Sequence, residues 1–171
     1  MGGEFYADED WSISTSTLQT GDMYFLNGGK TCLTVIADFL IAHGIKNVLL
    51  PAYLCPSILI TLESRGLCCD FYRVQPDLSI DLTDLHQKQT AEQAVYFINY
   101  FGFAQSPAVL RALLELQQQG VMVIEDNAQA GFPAHTIGDF VFNSLRKLCP
   151  QDGGYLRTRF DMQPFIEPYR G

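Results

Sequence analysis

Between Val121 and Gln129 the chain reads VMVIEDNAQ, and no other stretch narrows the possible architectures as far. Val121, Met122, Val123 and Ile124 form an apolar run too short for a helix and rich in β-branched residues, the pattern of a strand buried on both faces. Two acids, Glu125 and Asp126, follow it directly. A strand covered on both sides belongs to an open α/β sheet, where ligands bind in the crevice at the carboxyl ends of the strands. Both acids are therefore expected at that crevice, at least one of them with a positively charged partner.

The rest of the chain repeats the pattern. Residues 1–21 mix acids with a Ser/Thr run and show no sustained period, which reads as a surface arm. A strand is expected from Asp22 to Leu26, followed by Asn27-Gly28-Gly29-Lys30-Thr31 and then by Leu33, Ile36, Ala37, Leu40 and Ile41 on one helical face. Strand, glycine pair and helix make the geometry of an anion site, because glycine lets the backbone approach closely and N–H groups at the helix start point at the ligand. The plainer alternative is a tight turn and a helix cap.

Further strands are expected at Asn47 to Leu50, Cys69 to Val74 and Ala94 to Tyr100. The segments between them read as helices, one opening at Pro56 and closing at Gly66, and a short one capped by Asp81. Ser106 and Pro107 open a third helix whose buried stripe is Val109, Leu110, Leu113, Leu114 and Leu116. Beyond Gln129, strands at Ile137 to Phe142 and Tyr155 to Thr158 flank a turn at Gln151-Asp152-Gly153-Gly154. Three strand-helix-strand units in succession imply an α/β fold of three layers, a mainly parallel sheet with helices on both faces. Residues 22–158 then form one domain, and residues 159–171, with two prolines and little pattern, resemble the start of a linker.

Composition removes several functions. A formal net charge of -8 on 171 residues argues against a nucleic-acid partner, which asks for a basic face. The five cysteines, an odd count without a CxxC pair, read as reduced thiols, and no apolar run is long enough to span a bilayer. Neither a membrane nor a secretory signal is indicated, so a cytoplasmic protein is expected.

A carboxylate at a strand end, Gln129 three residues after Asp126, and Lys147 beyond the next strand are the parts needed to hold a protonated pyridine ring and to bond covalently to its aldehyde. In this order of parts the chain resembles the DegT/DnrJ group of sugar aminotransferases, within the fold type I pyridoxal-phosphate enzymes. The resemblance runs from Asn27 to Thr158 and rests on Gly29-Lys30-Thr31, Pro51-Ala52-Tyr53, Tyr100-Phe101-Gly102, Glu125 to Ala130, Ser144 to Lys147 and Asp152-Gly153-Gly154.

The resemblance implies pyridoxal 5'-phosphate as cofactor and a role for each matching residue. Asp126 would keep the pyridine nitrogen protonated, its alternative being a helix cap. Gln129 would contact a ring substituent. Lys147 would bond covalently to the cofactor aldehyde and, once displaced, shuttle a proton. The phosphate would sit on the N–H groups of Gly29 and Lys30 with Ser144 as a hydroxyl donor, and Tyr53 would stack on the ring. The chain departs from the family at three points: Cys55 stands where many members carry the stacking aromatic, Ser144 is closer to Lys147 than usual, and Lys30 replaces a small hydroxyl residue.

An amino-acid donor, a keto-sugar acceptor and a homodimer are implied in turn. Family members continue well beyond the lysine into a smaller domain, whereas this chain stops at Gly171. The alternative is thus a truncated, non-catalytic half-domain acting through a partner chain, for which weak or absent turnover is expected. A generic nucleotide-binding domain is the third reading, and it lacks a GxGxxG fingerprint after the first strand.

Overall fold

The computed structural model describes residues 23–131, 133, 135–147 and 152–169, without the side chain of Lys147. The expected arm at 1–21 and Cys149 lie outside the described residues. In chain order the strands are β1 (Met23–Leu26), β2 (Asn47–Pro51), β3 (Cys68–Tyr72), β4 (Gln93–Ile98), β5 (Met122–Asp126), β6 (Phe140–Phe142) and β7 (Gly154–Thr158). The helices are α1 (Gly29–Ala42), α2 (Pro56–Ser64), α3 (Leu82–Lys88), α4 (Pro107–Gln118) and α5 (Gln163–Ile166).

All seven strands join one sheet in the order β1-β7-β6-β5-β4-β2-β3. The block from β6 to β3 is parallel, and β7 alone runs against it, pairing antiparallel with β6 on one side and with β1 on the other. Alternate residues of each central strand feed opposite faces, as a pleated strand requires. Val48, Leu50, Tyr96, Ile98 and Ile124 pack with α1 and α2, whereas Leu49, Val95, Phe97 and Val123 pack with α3 and α4. The expected three-layer, mainly parallel architecture is the one observed.

Several local expectations hold for the reason given. Asp81 accepts from the Asp84 N–H at 3.0 Å and caps α3, and Ser106 accepts from the Val109 N–H at 3.4 Å and caps α4. Others shift. Leu114, expected in the buried stripe of α4, is exposed, and Ala112 takes its place beside Val109, Leu113 and Leu116. The fourth strand stops at Ile98 rather than Tyr100, and a 3-10 turn at Tyr100–Gly102 follows with Phe101 at φ 53°. The strand expected from Ile137 is confined to Phe140–Phe142, because the N–H groups of Ile137 and Gly138 are bonded to the Glu125 carboxylate instead of a neighbouring strand.

The patternless segment after Thr158 is packed. Phe160 and Phe165 lie against Phe39 of α1 with ring centroids 4.9 and 5.4 Å away, and the Tyr169 hydroxyl donates to Asp38 at 2.8 Å.

Candidate active site

The two loops that leave the carboxyl ends of β2 and β4 lead to helices on opposite faces of the sheet, so a crevice opens between them. It extends along the ends of β5 and β6 to the start of α1 as a cleft of about 410 Å³. Asp126, Gln129, Gly29, Lys30, Tyr53 and Ser144, all picked out in the sequence, line it together.

Asp126 is the last residue of β5, paired with Ile98 and Phe142 on its two neighbours. Its side chain is buried; one oxygen accepts from the Tyr96 hydroxyl at 2.5 Å and the other from the Ala128 N–H at 2.7 Å. The second bond is a local turn of the kind Asp favours, and the residues that follow form a turn rather than a helix. Both acids were expected at the crevice, but they lie within the strand, so alternation sends them to opposite faces. Only Asp126 lines the cleft. Glu125 instead accepts from the Asn99 and Asn127 amides at 3.1 and 3.0 Å and from the Ile137 and Gly138 N–H groups at 2.8 and 2.9 Å. Its described partners are amides and not a cation.

Gln129 places Oε1 2.9 Å from the Phe101 N–H, which ties the end of β5 to the 3-10 turn after β4 and leaves its amide donors for a ligand. Gly29 is in the first turn of α1 and touches Ser144: a Cβ on Gly29 would lie 3.0 Å from that of Ser144. No side chain caps the N-terminus of α1, whose residue at that position is Gly28. The uncapped turn, the Ser144 hydroxyl and the Lys30 ammonium therefore share one end of the cleft, a set of donors suited to a phosphate.

Tyr53 stands at the mouth, 59% exposed, with its ring 5.7 Å from that of Tyr100. The Tyr100 hydroxyl donates to the Tyr53 carbonyl and holds that loop. Cys55, where the family carries its aromatic, also lines the cleft, with Sγ 3.1 Å from the Ser57 hydroxyl. Lys147 closes the 3-10 turn Leu145–Lys147 that follows Ser144, and its side chain lies outside the described part.

Arg146, met in the sequence as the neighbour of Lys147, faces the same cleft and adds a second cation to its lining. Two further contributions came to light only in the structure. Tyr96 carries the hydroxyl that holds Asp126, and its signal was a polar tip inside a strand expected to be buried on both faces, which demands a partner. Gly154, read as a turn residue and as part of the Asp152-Gly153-Gly154 motif without a role of its own, lies so close to the start of α1 that a Cβ there would be 2.8 Å from the Gly28 carbonyl carbon and 2.9 Å from the Gly29 nitrogen. Of the described cysteines none is in a disulfide, and burial pushes the Cys32 thiol of α1 up to about 12. Among the described residues no cluster of side chains could hold a metal ion, and no helix is long and apolar enough to cross a membrane.

No family model matches the sequence, and no curated protein matches it. Solved structures do. Spr1654 from Streptococcus pneumoniae, described as a sugar aminotransferase and solved in PLP-form, superposes with a TM-score of 0.68 at 18% identity over 89% of this chain and 45% of its own. The sugar aminotransferase CalS13 from Micromonospora echinospora gives 0.67 at 23% identity over 88% of this chain and 45% of its own. The aminotransferase TlmJ from Streptoalloteichus hindustanus gives 0.70 at 24% identity over 87% of this chain and 43% of its own. The chain thus spans a little under half the length of these structures, and what it shares with them at such identities is the fold alone.

Proposed function

We propose that the cleft binds pyridoxal 5'-phosphate and that the chain is the cofactor-binding part of a DegT/DnrJ-type aminotransferase, spanning residues 22–158. The reaction would move an amino group from an amino-acid donor to a keto group on a nucleotide-linked sugar. One observation carries the reading: a buried carboxylate, Asp126, and an uncapped helix start beside Ser144 open onto the same cleft. A flat ring with a basic nitrogen at one end and a phosphate at the other meets both.

When bound, the cofactor supplies an electron-accepting ring and an aldehyde that bonds to amines. The chain's own residues do the rest. Asp126, fixed by two hydrogen bonds, holds a proton on the ring nitrogen. The N–H groups of Gly29 and Lys30, the Ser144 hydroxyl and the Lys30 ammonium bind the phosphate. Tyr53 covers a ring face at the mouth, Gln129 offers its amide to a ring substituent, and Lys147 supplies the amine. Spr1654, the sugar aminotransferase with which the chain shares its fold, is known in a PLP-form and a PMP-form, in keeping with this assignment.

The test is spectroscopic. Purified protein mixed with pyridoxal phosphate is expected to develop a visible absorbance band, and borohydride is expected to fix the cofactor on the peptide containing Lys147. Lys147→Ala is expected to lose both signals completely. A wild type that stays colourless would overturn the assignment.

A second reading, a half-domain that acts through a partner chain, is favoured by the exposure of Phe101 (67%), which lines the cleft with Tyr53, and of Phe103 (77%) two residues on. The same patch suits the homodimer that the reading implies, in the cytoplasm. Size-exclusion chromatography tests this reading and the homodimer together: association is expected, and a monomer at all concentrations would count against both.

A further inference from the structure

We propose that Tyr96 is a positioning residue for the cleft: its hydroxyl, donating to Asp126, keeps that carboxylate ionised and aimed, and so selects ligands that present a protonated ring nitrogen. The inference rests on the reading of the cleft given above and goes beyond it, because Tyr96 itself does not line the cleft.

The geometry carries the argument. Tyr96 and Asp126 are 30 residues apart, brought together because β4 and β5 pair in parallel with Tyr96 opposite Ile124 and Ile98 opposite Asp126. Alternation then puts Tyr96, two residues before Ile98, on the same face as Asp126. The O–H···O distance of 2.5 Å is at the short end for a charge-assisted bond. The ring is fully buried, 6.2 Å from that of Phe142, and the Tyr96 carbonyl accepts from the Tyr72 hydroxyl at 2.9 Å, so both ends of the residue are held.

Burial, together with the neighbouring Asp126 charge, raises the Tyr96 hydroxyl well above its usual range, so it remains a donor wherever the protein is folded. Among the described residues, the other titratable groups that act on the pair are Tyr72 from β3, Tyr100 from the turn after β4 and Cys32 from α1. Burial pushes all three up, so they stay neutral and bring no positive charge to the carboxylate. Among the described side chains, the cations that line the same cleft are Lys30 and Arg146, and the reading above adds the Lys147 amine. A space-filling aromatic would serve as well without its hydroxyl; a positioning residue would not.

The experiment has one arm without cofactor and one with it. In the first, the Asp126 carboxyl is titrated by NMR in protein carrying carbon-13 aspartate, its signal assigned by loss in Asp126→Asn. Tyr96→Phe removes a donor to the charged form and is expected to raise the titration midpoint by about one pH unit. Site-specific difluorotyrosine at 96, which keeps the shape and strengthens the donor, is expected to lower it, and this variant decides the matter should Tyr96→Phe fold poorly.

In the second arm, pyridoxal phosphate binding is followed against pH. The acid limb of the profile is expected to shift upward in Tyr96→Phe by the same amount as the midpoint in the first arm. A purely structural role would lower stability and leave both positions unchanged, which would overturn the proposal, as would an acid limb that stays in place while the midpoint moves. If the wild type binds no pyridoxal phosphate at any pH, the reading of the cleft fails, whereas the first arm still decides whether Tyr96 controls the carboxylate.

Discussion

Glu125→Ala is expected to lower folding stability by about 3–5 kcal/mol. The side chain is 2% exposed and accepts four hydrogen bonds, two from side-chain amides and two from backbone N–H groups. A buried donor deprived of its acceptor forfeits its desolvation cost, about 1–3 kcal/mol for each group. The loss is shared among four donors, and water entering the space left by the side chain recovers part of it.

Glu125→Gln separates charge from geometry. One amide oxygen can serve one pair of donors, and the amide nitrogen then meets the other pair donor to donor. The backbone pair at Ile137 and Gly138 cannot turn over, so the oxygen is expected to stay with it. Asn99 can turn, because its own Oδ1 is buried without a partner and can accept from the new amide. Glu125→Gln is therefore expected to cost about 1–2 kcal/mol, between wild type and alanine. Urea denaturation of the three proteins checks the order. A cost below about 1 kcal/mol for Glu125→Ala would mean that the loop from 127 to 138 does not depend on this clamp.

Gly154→Ala is expected to cost about 2–4 kcal/mol and to weaken binding at the phosphate end of the cleft. The added Cβ would stand 2.6 Å from the Asn143 carbonyl oxygen, 2.8 Å from the Gly28 carbonyl carbon and 2.9 Å from the Gly29 nitrogen. All three are backbone atoms, which cannot relieve the overlap by changing rotamer. The start of α1 must move away from β7, and the N–H groups offered to a phosphate move with it. Gly28→Ala is the control: its backbone is extended at φ 165° and nothing lies within 4 Å of the added atom. That substitution is expected to stay within about 1 kcal/mol of wild type, the range for losing a favourable capping residue. Equal losses at the two positions, measured by thermal unfolding, would remove the close-approach argument.

These expectations show where the sequence could be read and where it could not. Hydrophobic period and capping chemistry are local, and they located the helices that open at Pro56, Leu82 and Pro107 and the strands before and after them. The acids at the end of β5 were legible for the same reason, as was the glycine-rich start of α1. The element ends that moved did so through contacts across the sheet: Glu125 removed Ile137 and Gly138 from β6, and Gln129 turned the chain at Phe101. Leu114 left the buried stripe because α4 buries a single row against its sheet face, and Ala112 is on that row.

The sequence by itself determined the layered α/β architecture and put Asp126 and the glycine-led start of α1 at the carboxyl edge of the sheet, since strand direction and helix starts follow from patterns within about a dozen residues, while the grouping of Gln129, Lys30, Tyr53 and Ser144 with them was what the family resemblance implied. Tertiary structure alone decided which of the two acids faces the cleft, that Tyr96 holds it, and that Gly154 admits the start of α1. Those outcomes depend on strand register and on backbone approach between segments far apart in the chain. A shift of one residue in the pairing of β4 with β5 would turn Tyr96 away from Asp126, and no local pattern records that choice.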